Sequence, residues 1–266
     1  MIKLGVSPFA RRRRRAGPPL HAATAAYIAA MTMPPDATRR GHIDTLIAGL
    51  DADGDWPGID WMVCLAAHDV VGGVSQAGRL NMKNPAKSLT AVNSPVFSAL
   101  GVTGDGATSY LTAGETANAV GNSYSQNSAC IGVWCNQQSG AAGIVAHAGN
   151  LNAAPRMRIS PGTATSSHRI NDATSLSYNG GSRLGGRILT RTGSTTKILY
   201  KDGVEVATDT AVSDFVQAAD VCALRAGTSY CDDRLAFFFY GGGLSAAAVA
   251  RIHARVQTFL AAIGAA

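Results

Sequence analysis

The sequence predicts a mainly β fold: a two-sheet antiparallel sandwich with a short N-terminal helix and a C-terminal helix. Three observations predict it. Glycine is abundant (30 residues) and charged residues make up only 15%, a mix that suits short strands joined by many turns. From about residue 78 to 240 the chain is a succession of short extended segments separated by Gly, Asn, Ser and Pro. Near its end, Val249, Ile252, Val256, Phe259, Leu260 and Ile263 recur at helical spacing. At 266 residues an all-β sandwich commonly forms one domain.

Taken in order, residues 1–38 read as a basic, irregular arm. Pro8, Pro18, Pro19, Pro34 and Pro35 bracket the run Arg11 to Arg15, and proline denies both helix interior and central strand. Between these breaks, Ala22–Met33 permits a short helix. The body, 39–266, opens with a lead-in helix over 39–50. Ile43, Leu46, Ile47 and Leu50 form its apolar stripe, with Thr38 or Asp36 as cap. Residues 51–58 (Asp-Ala-Asp-Gly-Asp-Trp-Pro-Gly) are a turn, and Trp61–Ala67 is the first buried strand. Further strands are expected at Thr108–Leu111, Ser128–Cys135, Gly143–His147, Arg156–Ser160, Ser175–Tyr178 and Arg187–Thr192. Lys197–Lys201 and Val204–Thr208 flank Asp202-Gly203, whose positive φ angles match the twist of a hairpin. Arg234–Tyr240 is apolar and long enough for a central strand covered on both faces. A helix over 245–263 closes the chain: Ser245 caps it, Leu244 staples against Val249, and Gly264 supplies the left-handed residue after it.

The net charge of +6 is unevenly placed. Residues 1–40 hold eight basic side chains (Lys3, Arg11, Arg12, Arg13, Arg14, Arg15, Arg39 and Arg40) and one acid, Asp36, leaving 15 basic against 16 acidic residues beyond. A nucleic-acid-binding fold carries its charge on the folded surface, so a neutral body disfavours nucleic acid as partner. The arginine run stays solvated until an acidic partner neutralises it; a groove on a neighbouring protein is preferred, with nucleic acid second. No apolar run reaches the roughly 18–20 residues of a membrane span, and no clean cleavage site follows the Ala-rich stretch. Neither a membrane partner nor export is expected. Five cysteines (Cys64, Cys130, Cys135, Cys222, Cys231) leave at least one thiol free. Their apolar flanks predict buried, inert thiols, with a Cys222–Cys231 bridge left open.

No constellation of catalytic residues, metal ligands or cofactor contacts emerges. Glycosidases need paired acids across the scissile bond, but the chain has two glutamates, Glu115 and Glu205, in unrelated settings, and Asp232-Asp233 are adjacent. Asp51, Asp53 and Asp55 begin like a calcium loop, yet Trp56 stands where glycine is needed and Met62 where a bidentate glutamate is needed. The six histidines are scattered, and Cys130 and Cys135 lack a second pair for zinc. Gly101, Gly104, Gly106 and Gly241-Gly242-Gly243 lack the Lys-Ser/Thr of a phosphate loop. For glycan contact, Tyr124, Tyr178 and Tyr230 are the candidates, each in a polar stretch. Trp134 alternates with Cys130 on one strand face and reads as core.

The order of segments is similar to that of a group of tailed-bacteriophage virion proteins with a concanavalin A-like (laminin-G-like) jelly-roll domain. The blocks are 43–47 (IDTLI), 53–56 (DGDW), 65–69 (LAAHD), 89–97 (LTAVNSPVF), 104–111 (GDGATSYL), 199–204 (LYKDGV), 234–237 (RLAF) and 241–245 (GGGLS). The resemblance spans about residues 40–264 and implies a non-enzymatic virion structural protein. In that picture Arg11 to Arg15 anchor the arm to other virion proteins. The sandwich faces outward on tail or capsid, assembled with copies of itself, for host adhesion or particle decoration. The alternative is a lectin-like module acting on host surface polysaccharide. A polysaccharide-degrading enzyme ranks third. The calcium-binding acids of lectins of this fold have no counterpart here.

Overall fold

The computed structural model of the protein describes residues 19–140 and 143–266. Arg11 to Arg15, and the anchoring role expected of them, lie outside the described residues.

Two helices open the described chain. α1 (Ala22–Ala29) is capped by His21, whose Nδ1 accepts from the Ala23 N–H. α2 (Ala37–Ala52) is capped by Asp36, which accepts from the Arg39 N–H at 2.7 Å, and buries Ile43, Leu46, Ile47 and Leu50. The strands follow: β1 (Ile59–Cys64), β2 (Thr90–Val92), β3 (Val96–Ser98), β4 (Gly101–Thr103), β5 (Tyr110–Thr116), β6 (Ala129–Gln137), β7 (Ala148–Asn150) and β8 (Met157–Ser160). The second half holds β9 (Ser167–Ile170), β10 (Gly185–Gly193), β11 (Thr196–Lys201), β12 (Val204–Asp209), β13 (Asp220–Ala223), β14 (Arg225–Ala226), β15 (Ser229–Tyr230) and β16 (Arg234–Gly241). α3 (Ala246–Ala262) ends the chain; Ser245 accepts from the Ala248 N–H and Gly264 has φ +74°.

The strands form a larger sheet in the order β12-β11-β10-β6-β16-β4-β3, with β1 also on β16, and a smaller sheet in the order β2-β5-β13-β7-β8-β9. Every strand pair is antiparallel. The result is a jelly-roll sandwich with a third layer, because all three helices cover the outer face of the larger sheet. In β16 the run 235–241 is buried at every position. Phe237 and Phe239 point to the helices, while Phe238 and Tyr240 point to the smaller sheet. A strand buried on both faces loses the polar alternation of a half-exposed one; each such ring contributes roughly 1.5–3 kcal/mol of burial. Trp134 and Cys130 lie in the helix-side core. The Asp202-Gly203 hairpin forms with φ of +50° and +80°.

Several expectations need correction. The boundary at residue 38 fails, because α1 is part of the body: Tyr27 and Met31 are 2% and 6% exposed within the helix-side core. Gly143–His147 and Ser175–Tyr178 are not strands; each holds a single bridge residue, Ile144 and Leu176. All five cysteines are free and buried, so Cys222 and Cys231 are not bridged. No helix among the described residues is long and apolar enough to cross a membrane.

Candidate functional site

The two faces of the smaller sheet have opposite character. Inward, Leu111, Val221, Ala223, Ala148, Met157, Ile159 and Ile170 pack on the larger sheet. Outward, the register sets one row across five strands after β2: Thr90 faces Thr112, Thr112 faces Cys222, Cys222 faces Gly149, Gly149 faces Arg158, and Arg158 faces Arg169. Strand spacing makes the stretch from Thr112 to Arg169 about 19 Å. Among the described residues, no helix lies over this face.

The β14–β15 hairpin folds onto the middle of that row. Gly149 permits the approach, since a Cβ there would meet the Ala226 Cβ at 2.6 Å, and the Cys222 thiol donates to the Arg225 carbonyl at 3.0 Å. The hairpin thereby sets Arg225 and Tyr230 against Tyr110 of β5. The guanidinium carbon lies 4.7 Å from each ring centroid, and the ring centroids are 6.3 Å apart at 57°. All three side chains are partly exposed, Tyr110 also resting against the inter-sheet core. This is a preassembled platform of two aromatic faces around a cation.

Of the three tyrosines singled out for glycan contact, only Tyr230 belongs to this platform. Tyr178 is partly buried against the inter-sheet core. Tyr124 is a correction: it is 2% exposed, its hydroxyl donates to Asn171 Oδ1 at 2.8 Å, and burial raises its pKa. Polar neighbours such as Ser123, Ser125 and Gln126 hid an inward-pointing ring. Tyr110 and Arg225 were missed. Tyr110 and Thr112 alternate with Leu111 and Ala113, and Gly227-Thr228 supplies a two-residue turn, so both signals were present locally.

The buried polar groups form pins between the sheets. Asp233 accepts four hydrogen bonds: from the Ser139 N–H (2.7 Å), Arg183 Nη2 (3.0 Å), Arg183 Nε (2.8 Å) and His147 Nε2 (2.8 Å). Cys135, His147 and Asp233 place ligand atoms within 4.8 Å of one another, but the carboxylate's lone pairs are already occupied by these donors. Burial alone would raise Asp233; the bonds from His147 and Arg183 outweigh it and hold the carboxyl below its ordinary range. A second pin joins Asp172 to Arg191 and to Lys197, which also reaches Asp209 at 3.0 Å. A third is Glu115, which accepts from Trp61 Nε1, from the Tyr240 hydroxyl at 3.2 Å and from Lys87 at 2.6 Å. The acids of the 51–55 turn are tied to α3 and α1: Asp53 to Arg255 (2.6 Å), Asp55 to Arg251 (2.7 Å), Asp51 to His21 (3.2 Å).

Two concavities lie elsewhere. A groove of about 370 Å³ runs between α2 and α3 past His42, Thr45, Arg255 and Phe259. A crevice of about 410 Å³ borders Trp134, Asp202, His253 and Gln257.

No family model and no curated protein sequence matches the chain. Among solved structures, the fold is similar to the botulinum neurotoxin serotype D binding domain (TM-score 0.52, 8% identity, 75% of this chain and 52% of that chain). It is similar to the receptor binding domain of the botulinum C/D mosaic serotype (TM-score 0.54, 7% identity, 75% and 51%). A third likeness is to Trypanosoma rangeli sialidase (TM-score 0.55, 11% identity, 76% and 33%). This chain therefore spans between a third and about half of their length. At such identities the likeness establishes the β-sandwich fold.

Proposed function

We propose that the protein is a lectin-like, non-enzymatic binding module that takes a cell-surface glycan on the outer face of its smaller sheet. The observation that carries this reading is the Tyr110–Arg225–Tyr230 platform on a sheet face that no helix covers among the described residues. Aromatic faces pack against the apolar C–H faces of a sugar, and a guanidinium donates in-plane to paired oxygens. The structural likenesses favour this reading over the purely structural one that the segment resemblance placed first. One solved neighbour is a botulinum type C toxin whose cell entry depends on two ganglioside molecules, and another is a sialidase in complex with sialic acid. The non-enzymatic part is supported by Glu115, which Lys87 and Trp61 hold below its ordinary pKa against the opposing effect of burial. A carboxylate kept ionised in this way does not suit proton donation to a leaving group. Glu205 is exposed on β12, at the far edge of the other sheet.

The test is a glycan array probed with the full-length chain and with Tyr230→Ala. The wild type binds a subset of glycans, and the variant weakens that binding about tenfold, or ~1.4 kcal/mol, with an unchanged circular dichroism spectrum. Equal binding by both proteins contradicts the site; sugar release from the array contradicts the non-enzymatic reading.

A second reading concerns setting. The blocks resembling phage virion proteins, together with the charge concentrated in Arg11 to Arg15, support a module carried on a particle through its N-terminal segment. Self-assembly with further copies belongs to the same proposal.

A further inference from the structure

Arg158 and Arg169 stand directly opposite each other on β8 and β9, on the outer face. Like charges in that position destabilise a sheet. Elsewhere most buried or half-buried cations meet acids: Arg183 with Asp233, Arg191 and Lys197 with Asp172, Arg251 and Arg255 with Asp55 and Asp53. Arg187 is held instead by the carbonyls of Ser182, Arg183 and Leu184. Among the described residues, no carboxylate forms an ion pair with Arg158 or Arg169. Their partners are hydroxyls. Arg158 Nη2 donates to Ser167 Oγ and to Ser175 Oγ (3.1 Å), and Arg169 Nε donates to the same Ser175 Oγ at 3.0 Å. Arg158 Nε is buried with no acceptor at all. Burial first, and Arg169 second, push the Arg158 pKa down to about 10, so the pair sits at an electrostatic cost that nothing within the described fold repays.

We infer that this pair is an anion subsite, and that the glycan is an acidic saccharide whose carboxylate or sulfate is clamped between the two guanidiniums. The inference rests on the glycan-binding reading and deepens it. An incoming oxyanion accepts the N–H donors that Ser175 now shares, neutralises the facing charges and receives hydrogen bonds from Ser167 and Ser175. Charge-assisted, bidentate contacts of this kind are about twice as strong as neutral ones. The row from Thr112 to Arg169 is long enough for one chain to lie on the platform and in the subsite together. The electrostatic cost then has a function, as backbone strain does at other binding sites.

The test titrates the full-length chain by calorimetry with a neutral maltohexaose, an alginate hexauronate, a sulfated hexasaccharide and a 12-nucleotide single-stranded DNA. A chain with Arg11 to Arg15 replaced by glutamine removes binding owed to the arginine run. The expected result is affinity at least tenfold higher for the uronate or the sulfated sugar than for maltohexaose. Preference for one of the two identifies the anion. Arg169→Gln and Arg158→Gln abolish this preference while residual neutral-sugar binding persists. Equal affinity for neutral and acidic sugars, unchanged in the variants, overturns the anion subsite and leaves the glycan-binding reading standing. Binding of no saccharide overturns both. Single-stranded DNA binding as tightly as the acidic sugars, and lost in the same variants, overturns it in favour of a phosphate polymer. Arg169→Glu gives an independent check: placing a carboxylate opposite Arg158 raises the thermal unfolding midpoint and eliminates acidic-sugar binding. A lowered midpoint for a folded Arg169→Glu chain contradicts the electrostatic cost on which the inference rests.

Discussion

His147 and His168 lie within the sandwich at 0% exposure, flanked by Arg183, Arg187 and Arg158. Since a carboxylate only accepts, His147 donates through Nε2 to Asp233 and its Nδ1 has no partner; neither ring nitrogen of His168 has one. Burial pushes His147 down to about 4 and His168 well below its ordinary value. Both histidines are thus neutral in the folded state, whereas the unfolded chain takes up their protons near pH 6.5. Stability is full above that pH and falls as the solution is acidified toward the folded values. Asp233, depressed, adds a further loss below its ordinary range near 3.8. For His147 alone the loss at pH 4.5 is about 2–3 kcal/mol. The thermal midpoint is expected to drop by roughly 5–10 °C between pH 7 and 4.5. His147→Gln, which keeps a donor on Asp233 and cannot titrate, makes that slope shallower. Scanning calorimetry across this range checks it, and a flat profile contradicts the account of a neutral buried histidine.

α1 shows what an element contributes beyond its own propensity. It has eight residues, too short to hold in isolation, and stands because its Tyr27, and Met31 just beyond its end, enter the helix-side core. Removing residues 1–35 strips both and is expected to cost roughly 3–6 kcal/mol relative to removing residues 1–18, read as unfolding midpoints in urea. Equal midpoints contradict the placement of α1 in the body. If the chain is carried on a particle, removing 1–18 abolishes incorporation; particles that retain the shortened chain contradict anchoring by that segment. Legibility in the sequence followed element length. α2 and α3 were readable from a 3.6-residue stripe with caps at Thr38 or Asp36 and at Ser245, and β16 from its apolar run. β2, β3, β4 and β13 were not, because three or four residues carry no period and owe their extension to a partner strand. Gly143–His147 had strand composition, and the N–H groups of Val145 and His147 donate to Pro161 and Ile159, but only Ile144 forms a bridge.

At the scale of the molecule, a neutral body hid a directional charge distribution. Counting side chains along the sequence gives near balance beyond residue 40, yet folding pairs acids with Arg183, Arg191, Lys197, Arg251 and Arg255. Among the described residues, Arg158, Arg169 and Arg225 on one face form no ion pair, and the acid of that face, Asp220, accepts from Thr112 instead. That segregation depends on register between strands distant in sequence: local alternation and the Gly227-Thr228 turn mark Tyr110 and Arg225 as surface residues, but not that they meet. The same topology covers the larger sheet's outer face with helices and leaves the smaller sheet's outer face without one among the described residues. The most direct test is to map the bound saccharide by amide chemical shifts on the labelled full-length chain, titrated with alginate hexauronate and maltohexaose. The account predicts perturbations concentrated at Tyr110, Thr112, Arg158, Arg169, Arg225 and Tyr230. Perturbations concentrated in the α2–α3 groove, or in the crevice beside Trp134 and His253, would contradict it.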